Sequence, residues 1–254
     1  MSQQRVLVTA GASGIGREIA RAFAANGAAV FVCDLDAAGL DALAGEIPNL
    51  KTVVCDVSKR PEVERMVAAA AAALGGLDVL VNNAGISGPT APVEEMDPDA
   101  WEQVMQVNLT GTFNVTRCAI PHLKESAAGV ILNMSSLAGR YGYPNRSPYC
   151  TSKWGLIGFT KTLSIELGRH GIRANAILPG AVDGPRVQKV FEGRAEASGR
   201  AVADVERDAM SIQSLKRLVD PRDIAALCVF LASDAGKSIS GQMLPIDNDA
   251  LQAS

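Results

Sequence analysis

Short runs rich in valine, isoleucine and leucine alternate along the chain with longer stretches whose apolar residues return every three or four positions. The first pattern predicts strands over Arg5–Thr9, Ala29–Asp34, Thr52–Asp56, Val79–Asn82, Val130–Met134, Arg173–Leu178 and Met243–Asp247. The second predicts helices over Gly14–Asn26, Ala38–Ile47, Pro61–Leu74, Pro98–Lys124, Pro148–Arg169 and Pro221–Ala232. End signals agree, with Pro61 early in its helix after Ser58 and Asn26-Gly27 closing another. Near-continuous apolar strands separated by helices belong in a parallel sheet covered on both faces and joined by right-handed crossovers. The expected fold class is α/β: a doubly wound, mostly parallel seven-stranded sheet with helices on both faces. One domain over 1–254 suits the length, since no linker, repeat or compositional break marks a second. The stretch 183–213 departs from the alternation. It places Arg186, Lys189, Arg194, Arg200 and Arg207 among acidic residues and reads as helical material inserted beside the carboxyl edge of the sheet.

Composition removes several classes of function. A net charge of −3 argues against a broad nucleic-acid footprint. The longest apolar run, Val67 to Leu74, is too short to span a bilayer, and Met1 to Arg5 lead directly into strand-like sequence without a secretory h-region. Cys33, Cys55, Cys118, Cys150 and Cys228 are odd in number and show no Cys-x-x-Cys pairing. They fit reduced thiols in a cytoplasmic protein better than disulfides or a zinc site, and no metal is expected. With only His122 and His170 in the chain, a Cys150–His nucleophile has little support.

Three features carry chemistry. The first strand runs through Thr9-Ala10-Gly11-Ala12-Ser13-Gly14-Ile15-Gly16 into a helix. Glycines there let main chain approach a pyrophosphate, and the helix N-terminus supplies amide donors. Asp34 ends the second strand, eighteen residues past Gly16. An acid at that point accepts the adenosine ribose hydroxyls and repels a 2′-phosphate, and neither Ser13 nor Leu35 offers a cation for one, so NAD is expected over NADP. Asp56 could accept from the adenine amine or cap the helix near Pro61. Third, Tyr149 and Lys153 stand four apart on one helix face, thirteen residues after Ser136. A neighbouring ammonium favours phenolate and brings tyrosine into range for proton transfer.

These residues fall in an order that resembles the short-chain dehydrogenase/reductase family over nearly the whole chain. Its nucleotide motif matches Thr9, Gly14 and Gly16, and its Asn-Asn-Ala-Gly element is intact as Asn82-Asn83-Ala84-Gly85. The family Asn, Ser, Tyr and Lys match Asn108, Ser136, Tyr149 and Lys153, and Asn175, Pro179 and Gly180 match a later element. The resemblance implies a Rossmann-type alcohol dehydrogenase or ketone reductase. Tyr149 is then the general acid or base, Lys153 lowers its pKa and binds the nicotinamide ribose, Ser136 holds the substrate oxygen, and Asn108 serves a proton relay. Gly11, Ser13, Ile15, Leu35 and Val57 join the implied cofactor wall, with Asn83, Ala84, Gly85, Pro179 and Gly180 towards the nicotinamide. Three positions depart from the pattern: Ala10 replaces the first motif Gly, Gly184 a Thr that holds the carboxamide, and Asp247-Asn248-Asp249 an Asp-Gly-Gly. Main chain near Val182 is then expected to orient the ring.

Substrate identity stays open. By position Ser87, Leu137, Arg140, Tyr143, Arg146 and Arg186 line the pocket. The arginines are either solvated or paired with acids, or one of Arg140, Arg146 and Arg186 binds a carboxylate, sulfonate or phosphate. A neutral sugar, polyol, cyclic alcohol or steroid-like ketone is the other class. The resemblance implies a tetramer or dimer through helices that carry Phe113, Val115, Leu156, Phe159 and Leu163, which could equally be intrachain core. A nucleotide-sensing or scaffold protein on the same fold is the alternative to an enzyme.

Overall fold

The computed structural model describes residues 3–251, so the outermost residues of the expected 1–254 domain lie outside the described residues. Seven strands form one sheet: β1 (Arg5–Thr9), β2 (Ala29–Asp34), β3 (Lys51–Val54), β4 (Val79–Asn82), β5 (Val130–Met134), β6 (Arg173–Pro179) and β7 (Met243–Ile246). Their order is β3-β2-β1-β4-β5-β6-β7 and every pairing is parallel, so the sheet is wholly rather than mostly parallel. Strand order reverses between β1 and β4, which opens a crevice at their carboxyl ends.

Alternation along each strand explains the layers. Val6, Val8, Val30, Val32, Val79 and Val81 face one side and pack on α1 (Gly14–Ala25) and α9 (Pro221–Ala232) through Ile19, Phe23, Ile224 and Leu231. Leu7, Phe31, Leu80 and Ile131 face the other. There they meet α3 (Arg60–Leu74), α5 (Thr112–Lys124) and α6 (Ser147–Gly168) through Met66, Val115, Leu123 and Leu163. Helix α2 (Ala37–Glu46) follows β2 and is capped by Asp36, whose side chain accepts from Gly39 N. Among the described residues, no helix is long and apolar enough to cross a membrane.

Two further details differ from the sequence expectations. Helix 98–124 is two helices, α4 (Pro98–Met105) and α5, joined by a π-helical segment Gln106–Gly111. The widened turn seats Gly111 against Val57, where a Cβ would come within 3.0 Å of Val57 Cγ2, and the Thr112 hydroxyl donates to the Asn108 carbonyl at 2.9 Å. β3 stops at Val54 because Asp56 turns out of the ladder. Its Oδ1 accepts from Ser58 N (2.9 Å) and Ser58 Oγ (2.7 Å), while its own N–H donates to Glu62. Asp56 therefore braces the turn ahead of α3 rather than capping it; the cap position is Lys59. Residues 183–213 contain α7 (Pro185–Ser198) and α8 (Val202–Ser211). These two share a small apolar cluster of their own, built on Val187, Phe191, Ala195, Val205 and Ala209.

Candidate active site

The cradle after β1 is made of main chain and short side chains. The Thr9 hydroxyl accepts from Asn83 N (3.0 Å) and Ala84 N (3.1 Å), tying β1 to the loop after β4. Asn83 Nδ2 donates to the Ala10 carbonyl at 2.9 Å. Gly16 lies under both: a Cβ there would sit 2.5 Å from Asn83 Nδ2 and closer still to the Ala10 oxygen. Gly11 packs equally tightly, its missing Cβ 2.6 Å from Val32 Cγ1. Ala10 takes φ +52, a left-handed conformation that costs alanine roughly 1–2 kcal/mol. Ser13, Gly14 and Ile15 open α1, and the exposed Ser13 makes no side-chain capping bond, leaving the first-turn amides without a side-chain acceptor. Close-packed glycines beneath a free helix N-terminus fit a dinucleotide pyrophosphate.

Asp34 is fixed beside this turn. Oδ2 accepts from Ala12 N at 2.9 Å, and Oδ1 from Leu35 N at 2.7 Å and Asp36 N at 3.1 Å. The carboxylate is thus locked at the end of β2, with the Leu35 side chain 66% exposed next to it. On the far side, Pro179 is buried at the end of β6, and Gly180 passes so near Asp247 that a Cβ would lie 2.8 Å from its Cα. Val182 pairs with Val219 in an isolated parallel bridge. Gly184 takes φ +142 at the entry to α7, a conformation threonine avoids, which accounts for the departure there. Asn248 and Asp249, in place of the two glycines, both keep positive φ.

The reacting end gathers on β5, the π segment and α6. Lys153 is buried; its Nζ donates to the Met134 carbonyl (2.8 Å) and stands 5.7 Å from the Tyr149 ring centroid. Burial pushes its ammonium down to about 8, against the pull of Tyr149 and with the Arg186 cation adding to the fall. For Tyr149, burial resists ionisation, but Lys153, Arg186, the Ser136 hydroxyl and Arg146 outweigh it and hold the phenol below its ordinary value. Ser136 leads from β5 into the 3-10 turn Leu137–Gly139, its hydroxyl accepting from Ala138 N at 3.2 Å. Asn108 is wholly buried. Its Oδ1 accepts from Ile86 N (2.7 Å), while Nδ2 donates to the Ile86 carbonyl and to Ser152 Oγ, each at 3.0 Å. Gly85 lies between these groups, a Cβ there meeting Asn108 Oδ1 at 3.2 Å and Lys153 Nζ at 3.3 Å.

The arginines divide. Arg146 is 3% exposed, with its guanidinium 5.4 Å from the Tyr149 centroid and 5.9 Å from that of Tyr143. Burial lowers its pKa. Arg186, exposed at the start of α7, reaches Ser87 and Gly85. Tyr143 is raised by burial, opposed by Arg194 and Arg146. Arg140 is exposed and stacks 5.1 Å over Tyr141. Among the described residues, no group of three or more His, Cys, Asp or Glu is placed to hold a metal ion.

Two sets of residues escaped the sequence reading. Ser152, fully buried, links the Asn108 amide to the Tyr149 carbonyl, to which its hydroxyl donates at 2.8 Å. Its place three residues after Tyr149 on the same helix was the available signal. The other is a buried polar ladder. Asn82 Nδ2 donates to Thr116 Oγ1 (2.9 Å) and Asn133 Oδ1 (2.8 Å), and Asn133 Nδ2 to Thr160 Oγ1 (2.9 Å). It pins the ends of β4 and β5 to α5 and α6 beneath the site.

A family model described as enoyl-(acyl carrier protein) reductase matches residues 9–248. The chain is 38% identical over 252 residues to D-beta-hydroxybutyrate dehydrogenase of Cupriavidus necator, covering 97% of each. Among solved structures, NAD+-bound xylitol dehydrogenase superposes with a TM-score of 0.93 at 29% identity, covering 96% of this chain and 97% of that one. A variant of actinorhodin polyketide ketoreductase with NADPH superposes with a TM-score of 0.92 at 34% identity, covering 97% and 96%.

Proposed function

The chain belongs to the short-chain dehydrogenase/reductase family, and from that premise we propose that it is an NAD(H)-dependent oxidoreductase interconverting a secondary alcohol and a ketone. The observation that carries this reading is the Tyr149 phenol with the Lys153 ammonium 5.7 Å and the Arg146 guanidinium 5.4 Å from its ring centroid, cations that pull it below its ordinary pKa. Nicotinamide, when bound, supplies or accepts the hydride. Tyr149 removes the proton from the substrate hydroxyl in oxidation and returns it to the carbonyl oxygen in reduction. Ser136 holds that oxygen, Lys153 biases the phenol towards phenolate and holds the ribose, and Asn108 with Ser152 sets the relay behind them.

The rigid Asp34 carboxylate supports NAD over NADP. Relatives are named for hydroxy acids, sugars and cyclic alcohols, so the substrate is an acidic hydroxy compound or a sugar or polyol. One domain and a homotetramer, with a dimer as the smaller option, complete the reading. Val115, Leu156 and Leu163 are spent on the intrachain core, but Phe113, Trp154 and Ile165 stay exposed on α5 and α6 and support association there. All five cysteines are free, which supports a reducing, cytoplasmic setting.

The test uses purified protein with NAD and NADP against alcohols and ketones. Turnover should favour NAD by at least about ten-fold in kcat/KM. Tyr149→Phe should lower kcat by about 10²–10⁴-fold while NADH still binds. Undiminished turnover in that variant would remove Tyr149 from the proton step.

A further inference from the structure

Two guanidinium groups reach the same loop from different elements. Arg146, at the N-terminal edge of α6, donates to the Ser87 carbonyl at 2.9 Å and to Thr90 Oγ1 at 3.2 Å. Arg186, in the first turn of α7, donates to Ser87 Oγ and to the Gly85 carbonyl, each at 3.1 Å. Every one of these acceptors is neutral. Arg146 is buried, its Nε has no hydrogen-bond partner, and the ion pairs among the described residues involve neither arginine. Lys153, which shares the Tyr149 ring with Arg146, also meets only a carbonyl. Arg186 lowers the pKa of both Arg146 and Lys153, so its charge is repelled by each of them. Buried cations are ordinarily paired, and neighbouring like charges are held most readily when an anion lies among them.

The cofactor does not provide that anion. Its pyrophosphate belongs at the α1 N-terminus, on the β1 side of the crevice, whereas the arginines stand on the loop after β4, on α6 and on α7. We propose that the substrate is a hydroxy acid, or the corresponding oxo acid, whose carboxylate is gripped by Arg186 while Arg146 supplies a fixed positive charge behind Ser87. The inference rests on the oxidoreductase reading and narrows its substrate to one of the two classes left open. Arg186 is the movable partner, exposed and carried on a helix outside the two main cores; Arg146 is held by two hydrogen bonds and by the tyrosine rings.

The experiment measures binding to the enzyme–NADH complex at low ionic strength, with butyrate and its neutral isostere butyramide as probes and NADH fluorescence as the readout. Butyrate should bind about ten-fold or more tightly than butyramide, as a charge-assisted guanidinium contact requires. Arg186→Gln should bring the two within about three-fold, and Arg186→Lys should retain part of the preference because it keeps the charge and loses the fork. Equal affinities in the wild type, or a preference that survives Arg186→Gln, would overturn the proposal. A loss in Arg186→Gln confined to NADH affinity would reassign the arginine to the cofactor and overturn it as well. Failure of the oxidoreductase reading registers elsewhere, as absent NAD reduction, because the binding comparison needs no turnover.

Discussion

The two sides of the crevice are built from different materials. On the β1–β4 side, Thr9, Ala10, Gly16 and Asn83 make a cradle from main chain and short side chains, held by hydrogen bonds and by the absence of a Cβ. On the β5–α6–α7 side, long cations lie around a half-buried phenol and meet only neutral acceptors. The first side selects by shape and is damaged by added atoms. The second works through charge and is damaged by removing it.

Removing charge should have the larger effect. Lys153→Met should lower kcat by about 10²–10³-fold and move the pH profile of oxidation. In the wild type the oxidation rate should rise with pH to a midpoint below the ordinary tyrosine value, because the proposed proton step needs phenolate. The variant's midpoint should move up, since the cation that most opposes the cost of burial is gone. Stability carries a matching sign. The folded Lys153 pKa is depressed from 10.5 to about 8, so the folded state binds fewer protons than the unfolded state across that window. Wild-type stability should therefore gain from this group as pH rises from about 8 to 10.5, and Lys153→Met should lose that gain; melts across the window read it directly. An unmoved midpoint in the variant would mean that Lys153 does not tune the phenol.

Adding one methyl group on the other side should have an intermediate effect. Gly16→Ala forces a Cβ into Ala10 O and Asn83 Nδ2 and should cost about 1–3 kcal/mol of stability, with weakened NADH binding read by titration. Unaltered affinity would mean that the cradle yields more easily than its packing implies. The smallest effect tests the strain there. Ala10→Gly relieves the left-handed alanine but loosens the unfolded chain, and a net gain of about 0.5–1 kcal/mol is expected in denaturant melts. A loss would show that the methyl group contributes packing worth more than the strain.

This contrast also governs what could be read from sequence. The cradle is contiguous: Thr9 to Gly16 and Asn82 to Gly85 are local runs whose glycines mark close approach. Tyr149 and Lys153 share a helix face, so simple periodicity pairs them. The central strands were legible because β1, β4, β5 and β6 are buried and apolar; the largest shift is at the end of β3, an edge strand, where Asp56 finds Ser58. The π segment was not legible, because nothing in Gln106–Gly111 breaks a helical pattern and the widening answers to Gly111 meeting Val57. The Asn82–Asn133 ladder depends on strand register, and the Arg146–Ser87–Arg186 bridge joins three distant segments; neither follows from spacing.

Helices α7 and α8 pack mainly on each other, through a cluster separate from the cores that hold the sheet. A unit of this kind can accumulate substitutions while the nucleotide cradle and the phenol stay in place. The part least tied to the main cores is thus the part that delivers Arg186, so on the proposed carboxylate role substrate preference is the trait a lineage could revise first while the cradle and the phenol stay in place.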